Sequence, residues 1–352
     1  MNVKPLFKLM VEKKASDLFF TPYAPAKIKI DGKIIPVNKL EMTPKMVKQA
    51  AFELMDENQL EAFQRDLEID FAISEPGLGR FRVNVFQQRG NVAMVLRYIT
   101  AEMPNLDDLG MPEQLKDLVM LKRGLILMVG ASGNGKSTTL AAMINYRNEN
   151  TSSHIITIED PIEFLHPNKQ SIVNQREVGL DTKSYANALK SAMRAAPDVI
   201  QIGEIRDHES MQSAIDMAGT GHLVLATLHS NNAPETLDRI INMFPTSQHP
   251  QVFMDLAHYL RAIISQRLVR SRSGRRVAAV ELMLNTPHIK DLIMKGDIAA
   301  VKEAIKDSGE KGVQNFDRAL LNLYKAGTIT LEEAMAHADS RSNLEALVNF
   351  GG

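Results

Sequence analysis

The chain contains no cysteine. That excludes disulfides, thiolate zinc sites and cysteine nucleophiles together, and it fits a reducing cytosol. It also lacks an excess of either charge: 41 Lys and Arg face 42 Asp and Glu, for a net charge of −1. No basic field is therefore expected to steer it onto nucleic acid or an anionic membrane. No apolar run exceeds the length of a strand, so no bilayer-spanning helix is predicted. The opening Met1-Asn-Val-Lys-Pro5 has no signal-type apolar core, and membrane contact is expected only through a protein partner. Internal repeats and low-complexity stretches are missing too. What remains is 352 residues, enough for two domains with a core each.

The first hundred residues read as a small α+β domain with a mostly antiparallel sheet. Leu6, Leu9, Met10 and Lys13 predict a short amphipathic helix. Lys27–Ile30, Asp31-Gly32 and Lys33–Val37 predict a hairpin, because Asp-Gly supplies the positive φ angles of a tight turn. Residues 44–64 look helical. Alternation then marks strands at Leu67, Ile69, Phe71 and Ile73, at Phe81, Val83 and Val85, and from Val92 to Ile99. Thr100–Asn105 is a linker candidate. Beyond it, short apolar strands at 125–129, 154–158, 198–202 and 222–227 alternate with helices. This pattern predicts a doubly wound parallel sheet, with ligands at the carboxyl ends of its strands. The tail from 287 to 347 is helical by pattern, with polar breaks at 306–312 and at Ala326-Gly327.

Between an apolar strand and a helical run stands Gly130-Ala131-Ser132-Gly133-Asn134-Gly135-Lys136-Ser137, followed by Thr138. This is a complete Gly-x-x-x-x-Gly-Lys-Ser loop in the strand–loop–helix context the motif requires. Glycines let backbone N–H groups turn toward phosphates, and the helix start adds partial positive charge. Lys136 reaches the β and γ oxygens, and Ser137 ligates Mg²⁺. ATP with Mg²⁺ is the expected cofactor.

Three more polar groups follow strand ends on the same side: Glu163, Glu204 and His229. Hydrolysis of a γ-phosphate needs a carboxylate to orient or deprotonate water. Glu204, just beyond an apolar strand and after Gly203, is the first choice, and it is also a metal-ligand candidate. Glu163 is a second candidate for water or Mg²⁺, and His229 for sensing the γ-phosphate. Asp198 and His222 lie at the amino ends of their strands and read as structural. Arginine is needed to spread transition-state charge. The candidates are Arg80, Arg82 and Arg97 in the first domain, and Arg194 and Arg206 in the second. Arg80 and Arg82 share the strand face that points away from the small domain's core. Arg267, Arg270, Arg272, Arg275 and Arg276 have no interleaved aromatic for base stacking, and they read as a solvated loop before a strand at 277–283.

Taken with Ile158–Phe164, Pro197–Asp207 and Ala218–Ser230, the loop resembles the Walker A, Asp box, Walker B and His box of the type II and type IV secretion ATPases, in their order and spacing. The resemblance extends to Gly79–Val85 and Ser265–Val269. Within that superfamily the chain is similar to the twitching-motility retraction motors of the PilT and PilU types. Assembly motors of the PilB kind usually carry a tetracysteine zinc insertion, which a chain without cysteine does not make. PilT-type chains carry an Ala-Ile-Arg signature, whereas here the stretch reads Pro287-His-Ile-Lys-Asp-Leu-Ile-Met-Lys295. That departure favours the PilU branch and puts unaided retraction in doubt.

The resemblance implies a PAS-like α+β domain at 1–99, a linker at 100–105 and a RecA-like ATPase domain at 106–352 whose helical part starts near 287. It implies a cytoplasmic homo-hexamer, held at the inner membrane by a PilC-like platform protein and working beside a PilT-type ATPase. Nucleotide would sit between the two domains and near a neighbouring subunit. Two alternatives remain at this stage: a non-catalytic nucleotide-binding partner of a PilT motor, and a RecA-like nucleic-acid translocase, since one fold serves both trades.

Overall fold

The computed structural model describes residues 3–30, 32–99, 102–308, 310 and 312–350. Asp31 of the expected hairpin turn and Thr100 and Ala101 of the expected linker lie outside them. Two compact units result: Met1–Glu102 with Glu163–Leu165, and Met103–Ile162 with His166–Gly352.

In the first unit α1 (Lys4–Glu12) precedes β1 (Asp17–Phe20), β2 (Pro25–Ile30) and β3 (Lys33–Glu41). Helices α2 (Pro44–Phe52) and α3 (Glu57–Asp66) then lead to β4 (Glu68–Glu75), β5 (Gly79–Gln88) and β6 (Asn91–Ile99). The strands form one antiparallel sheet in the order β3-β2-β1-β6-β5-β4. Register explains its two faces. Ile28, Leu18, Leu96, Val83 and Phe71 stand in one row across five strands. They join Phe7, Met10, Val47, Ala50 and Phe63 from the helices in a single core. One residue further along, Lys29, Asp17, Arg97 and Arg82 form a charged row on the opposite face, since successive side chains alternate.

Two local expectations change. The helical stretch at 44–64 is two helices, because Asp56 starts a new one by accepting from Gln59 N while Gln59 bonds back to Asp56 N. The strand expected from Leu67 begins at Glu68. Leu67 instead ends α3 in the left-handed region, at φ 65°, and is exposed.

The second unit opens with α4 (Gln114–Val119), β7 (Gly124–Val129), α5 (Lys136–Asn150), β8 (His154–Glu159) and β9 (Ile172–Glu177). It continues with α6 (Tyr185–Ala192), β10 (Val199–Ile202), α7 (His208–Gly219), β11 (Leu223–Leu228), α8 (Ala233–Asn242) and α9 (His249–Tyr259). The hairpin β12 (Leu260–Arg270) and β13 (Arg276–Leu284) follows, then α10 (Pro287–Lys295), α11 (Ile298–Lys306), α12 (Phe316–Lys325), α13 (Leu331–His337) and α14 (Arg341–Phe350). Strand order is β13-β12-β7-β11-β10-β8-β9, parallel except for β13. Every residue of β7 is buried, as expected of a strand covered on both faces. Leu125, Leu127 and Val129 pack with the core beneath α6 to α11, while Ile126 and Met128 pack with α4 and α5. The sheet is thus doubly wound and RecA-like, with one antiparallel edge strand. Helices α12 to α14 close a smaller core on Val269 and Ala279.

Candidate nucleotide-hydrolysis site

The phosphate loop leaves the carboxyl end of β7, between β11 and β12. Its shape depends on glycine at two points. Gly130 has φ 148°, and a β-carbon there would stand 2.5 Å from the Gln266 carbonyl oxygen. Gly135 has φ 82°, and a β-carbon would meet Gln266 Nε2 at 2.8 Å. Gln266 is buried on β12, and its Oε1 accepts from Thr139 Oγ1 of α5 at 2.8 Å. The strand beside the loop therefore presses on it at both ends. Gly130→Ala is expected to lose at least ~2 kcal/mol of stability through strain and overlap, read as a fall in Tm together with weakened ADP binding.

The residues between them suit an anion. Helix α5 begins with Gly135 at its N-cap and no side-chain cap, so its first N–H groups have no capping oxygen. No acidic residue stands in its first turn. Lys136 is buried, and its ammonium donates to Gly130 O at 2.7 Å and Ala131 O at 3.0 Å. Neutral carbonyls are weak partners for a buried cation, and phosphate oxygens would be stronger ones. Ala131, Ser132 and Gly133 are exposed, while Asn134, Ser137 and Thr138 are half-buried. The donor set fits a nucleotide phosphate.

Two strands away, Glu204 follows β10. Its turn is held by Gly203 N donating to Ile158 O at 2.7 Å and by Ile205 N donating to Thr227 O at 2.9 Å. Thr227 Oγ1 also donates to Gly203 O. Glu204 Oε1 lies 3.1 Å from His229 Nε2 at the end of β11. Glu204 Oε2 accepts from Arg206 Nε at 2.9 Å, and Arg206 Nη1 lies 3.9 Å from Asp160 Oδ2. Glu204, His229, Arg206 and Asp160 thus gather at the same strand edge as the loop. Glu163 is exposed on the chain beyond β8 and falls within the first unit. Among the described residues no three His, Asp or Glu side chains form a metal cluster.

The arginine candidates separate. Arg82 pairs with Asp70 through Nε at 2.8 Å and Nη2, and Arg97 Nε pairs with Asp17 at 2.9 Å. Both guanidiniums are thus engaged by carboxylates of their own sheet. Arg80 lies on the same sheet face as Arg82, half-buried. Arg194 is exposed on the turn after α6. Asp198 and His222 are structural: Asp198 accepts from His154 N at 2.8 Å, and His222 Nδ1 lies 3.1 Å from Met217 O.

The arginines at 267–276 match the expected solvated loop only in part, with Arg272 and Arg275 exposed on the turn between β12 and β13. Arg267 and Arg270 lie on β12, and Arg276 opens β13. Arg267 pairs with Asp339 at 2.6 Å and covers the Phe316 ring at 3.8 Å, fastening the C-terminal helices to β12. Arg276 Nη1 reaches Gly133 O at 3.5 Å.

Gln266 and Glu281 escaped the sequence reading. Glu281 is buried on β13, and its Oε1 accepts from Ala233 N at 2.8 Å and Ser265 Oγ at 3.0 Å. It thereby ties the start of α8, just past His229, to β12. Burial pushes its carboxyl up to about 7, against the two hydrogen bonds that favour the charge. Between the ordinary value near 4.5 and 7, the native state keeps a proton that the unfolded chain has lost. Stability must then fall as pH rises through that window, by roughly 3 kcal/mol. Glu281→Gln is expected to flatten that decline in Tm measured from pH 5 to 8.

A glycine-cradled loop, its buried lysine and a carboxylate–imidazole pair on one strand edge define a phosphate-loop ATPase. The model of the family described as type II/IV secretion system protein matches residues 2–336, and the chain belongs to that family. It is 50% identical to the type IV pilus ATPase PilU of Pseudomonas aeruginosa over 352 residues, all of this chain and 92% of the relative. It is 40% identical to the type IV pilus retraction ATPase PilT of the same organism over 343 residues, 97% of this chain and 100% of that one. A crystal structure of the pilus retraction motor PilT with bound ADP superposes with TM-score 0.92 at 43% identity, covering 98% of this chain and 99% of that one.

Proposed function

We propose that this chain is the ATP-hydrolysing motor of type IV pilus retraction in its PilU-like, accessory form. The observation that carries this reading is end-to-end similarity to a type IV pilus ATPase, with the phosphate loop and the Glu204–His229 pair both in place. The chain works as a homo-hexamer beside a PilT-type ATPase, on the cytoplasmic side of the inner membrane against a PilC-like platform protein. The departure at 287–295 from the Ala-Ile-Arg signature supports the accessory role.

In this reading the α5 N–H groups and Lys136 hold the β and γ phosphates, and Glu204 takes the proton of the attacking water. His229 sits on Glu204 and senses the γ-phosphate. Ser137 would hold Mg²⁺, with Glu204 and Glu163 as further positions around it. When bound, Mg²⁺ would supply neutralisation of phosphate charge at these positions. Arg80, Arg82, Arg97 and Arg194 are the charge-stabilising candidates, and Arg82 and Arg97 act only after leaving Asp70 and Asp17. Closure about the linker at 100–105 turns hydrolysis into motion.

The test is deletion of the gene with microscopy of surface filaments, alone and with the PilT homologue also removed. Failure to withdraw filaments under load is the expected result, and unchanged filament dynamics would overturn it. Phosphate release by the purified chain separates this motor from a non-catalytic partner subunit. DNA-stimulated hydrolysis with steep salt dependence would instead point to a translocase.

A further inference from the structure

Glu204 has both carboxylate oxygens engaged in this structure. Oε1 faces His229 Nε2 at 3.1 Å. Oε2 accepts from Arg206 Nε at 2.9 Å and stands 2.8 Å from Arg206 Nη2. An oxygen that accepts one guanidinium N–H and has a second nitrogen of the same group beside it is screened from an incoming water on that side. Arg206 thus covers the Oε2 side of the proposed general base, while His229 faces Oε1.

Arg206 has somewhere else to go. Its Nη1 lies 3.9 Å from Asp160 Oδ2, too far for a hydrogen bond but within ion-pair range. The two carboxylates are fixed differently from the arginine. Asp160 directly follows β8, and the Glu204 turn is bonded to β8 and β11 on either side. The backbone after Arg206 is set by Asp207, whose side chain caps α7. The Arg206 side chain itself is 61% exposed, against 19% for Glu204, so a change of its torsions meets little packing. Tyr185, a further titratable group here, has its hydroxyl pushed above the ordinary range, by burial first and then by Asp160. It stays neutral and does not compete as an anion for the guanidinium. Both pairs are exposed on the arginine side, where ion pairs contribute little net stability. A small bias from a bound ligand is then enough to change which one is populated.

We propose that Arg206 is a positioning residue that holds Glu204 closed and, once nucleotide is seated, transfers to Asp160, freeing Oε2 to meet the attacking water. This rests on Glu204 being the general base. Asp160 is the acceptor that makes release favourable, and neither Asp160 nor Arg206 touches the reacting atoms.

Epistasis tests the exchange. In the full-length protein with Mg-ATP, Asp160→Asn removes the acceptor and strands Arg206 on Glu204. The expected result is a fall in kcat of about tenfold, with KM within about twofold of the unmutated value. Adding Arg206→Ala to Asp160→Asn removes the clamp as well, and at least about fivefold of the lost kcat should return. A purely structural role for Asp160 predicts no such rescue. A double variant as slow as Asp160→Asn, or an Asp160→Asn variant with unchanged kcat, overturns the proposal. Glu204→Gln measured in parallel separates the two readings. If Glu204→Gln turns over normally, the general-base assignment fails and takes the exchange with it. If Glu204→Gln is slow and the double variant is not rescued, the exchange alone fails.

Discussion

Glu204→Gln should bind ATP as well as the unmutated protein and hydrolyse it at least ~10²-fold more slowly, the scale of losing general-base assistance. That factor corresponds to roughly 2.7 kcal/mol of barrier. The amide keeps the volume of the carboxyl and still presents an oxygen toward His229 or Arg206, so the turn anchored by Gly203 and Ile205 is not disturbed. What it loses is the capacity to accept a proton. The phosphate-holding groups, Lys136 and the first turn of α5, follow β7, two strands away from β10 in the sheet. Affinity and turnover should therefore separate. Steady-state phosphate release and nucleotide affinity on the same preparation measure both. Turnover at the unmutated rate would move the base elsewhere, with Asp160 and Glu163 as the carboxylates to examine next.

The parts of this site that were legible in sequence are those whose chemistry is local. The phosphate loop is a run of consecutive residues, and its flanking strand is a bounded apolar segment, so residues 130–138 could be placed without the fold. The position of Glu204 and His229 at one strand edge could also be read, because parallel-sheet geometry puts whatever follows a strand at the ligand edge. Position gave no partner, however. That Glu204 pairs with His229 and Arg206 depends on β10 and β11 being neighbours in register, which strand spacing does not encode. Gln266 and Glu281 were illegible for a different reason. Gln266 lies on a strand that starts directly at the end of α9, with no glycine or proline between Tyr259 and Leu260 to mark the change. Glu281 lies within the strand read at 277–283, but its burial against Ser265 and Ala233 follows from the pairing of β13 with β12. The short strand β1 and the largely polar strand β9 gave equally little signal, since one has four residues and the other is mostly exposed or half-buried. Strand faces in the first unit were readable from alternation, but the ion pairs Arg82–Asp70 and Arg97–Asp17 follow from register. A residue's face is a property of its own strand, while its partner is a property of two.

Lys136→Ala should abolish measurable nucleotide binding and leave a folded chain. The Lys136 ammonium is buried and donates to two carbonyls of its own loop. Exchanging them for phosphate oxygens is the gain on binding. Hydrogen bonds to charged groups contribute about 1.5–3 kcal/mol each. Two such bonds to the β and γ phosphates set a loss of roughly 3–6 kcal/mol, or ~10²–10⁴ in Kd. Lys136→Arg should not restore affinity, because the loop encloses a compact ammonium and a guanidinium is a planar fork. The fold is expected to survive, since truncation removes a charge from a buried place. Thermal unfolding with and without ADP distinguishes the outcomes. The unmutated protein should gain about 2.7 kcal/mol of stability at an ADP concentration a hundred times its Kd, seen as a rise in Tm. Lys136→Ala should show a similar Tm without ligand and no rise with it. A variant that still gains Tm with ADP would mean that the α5 N–H groups hold the phosphates by themselves, and that the lysine serves only to shape the empty loop.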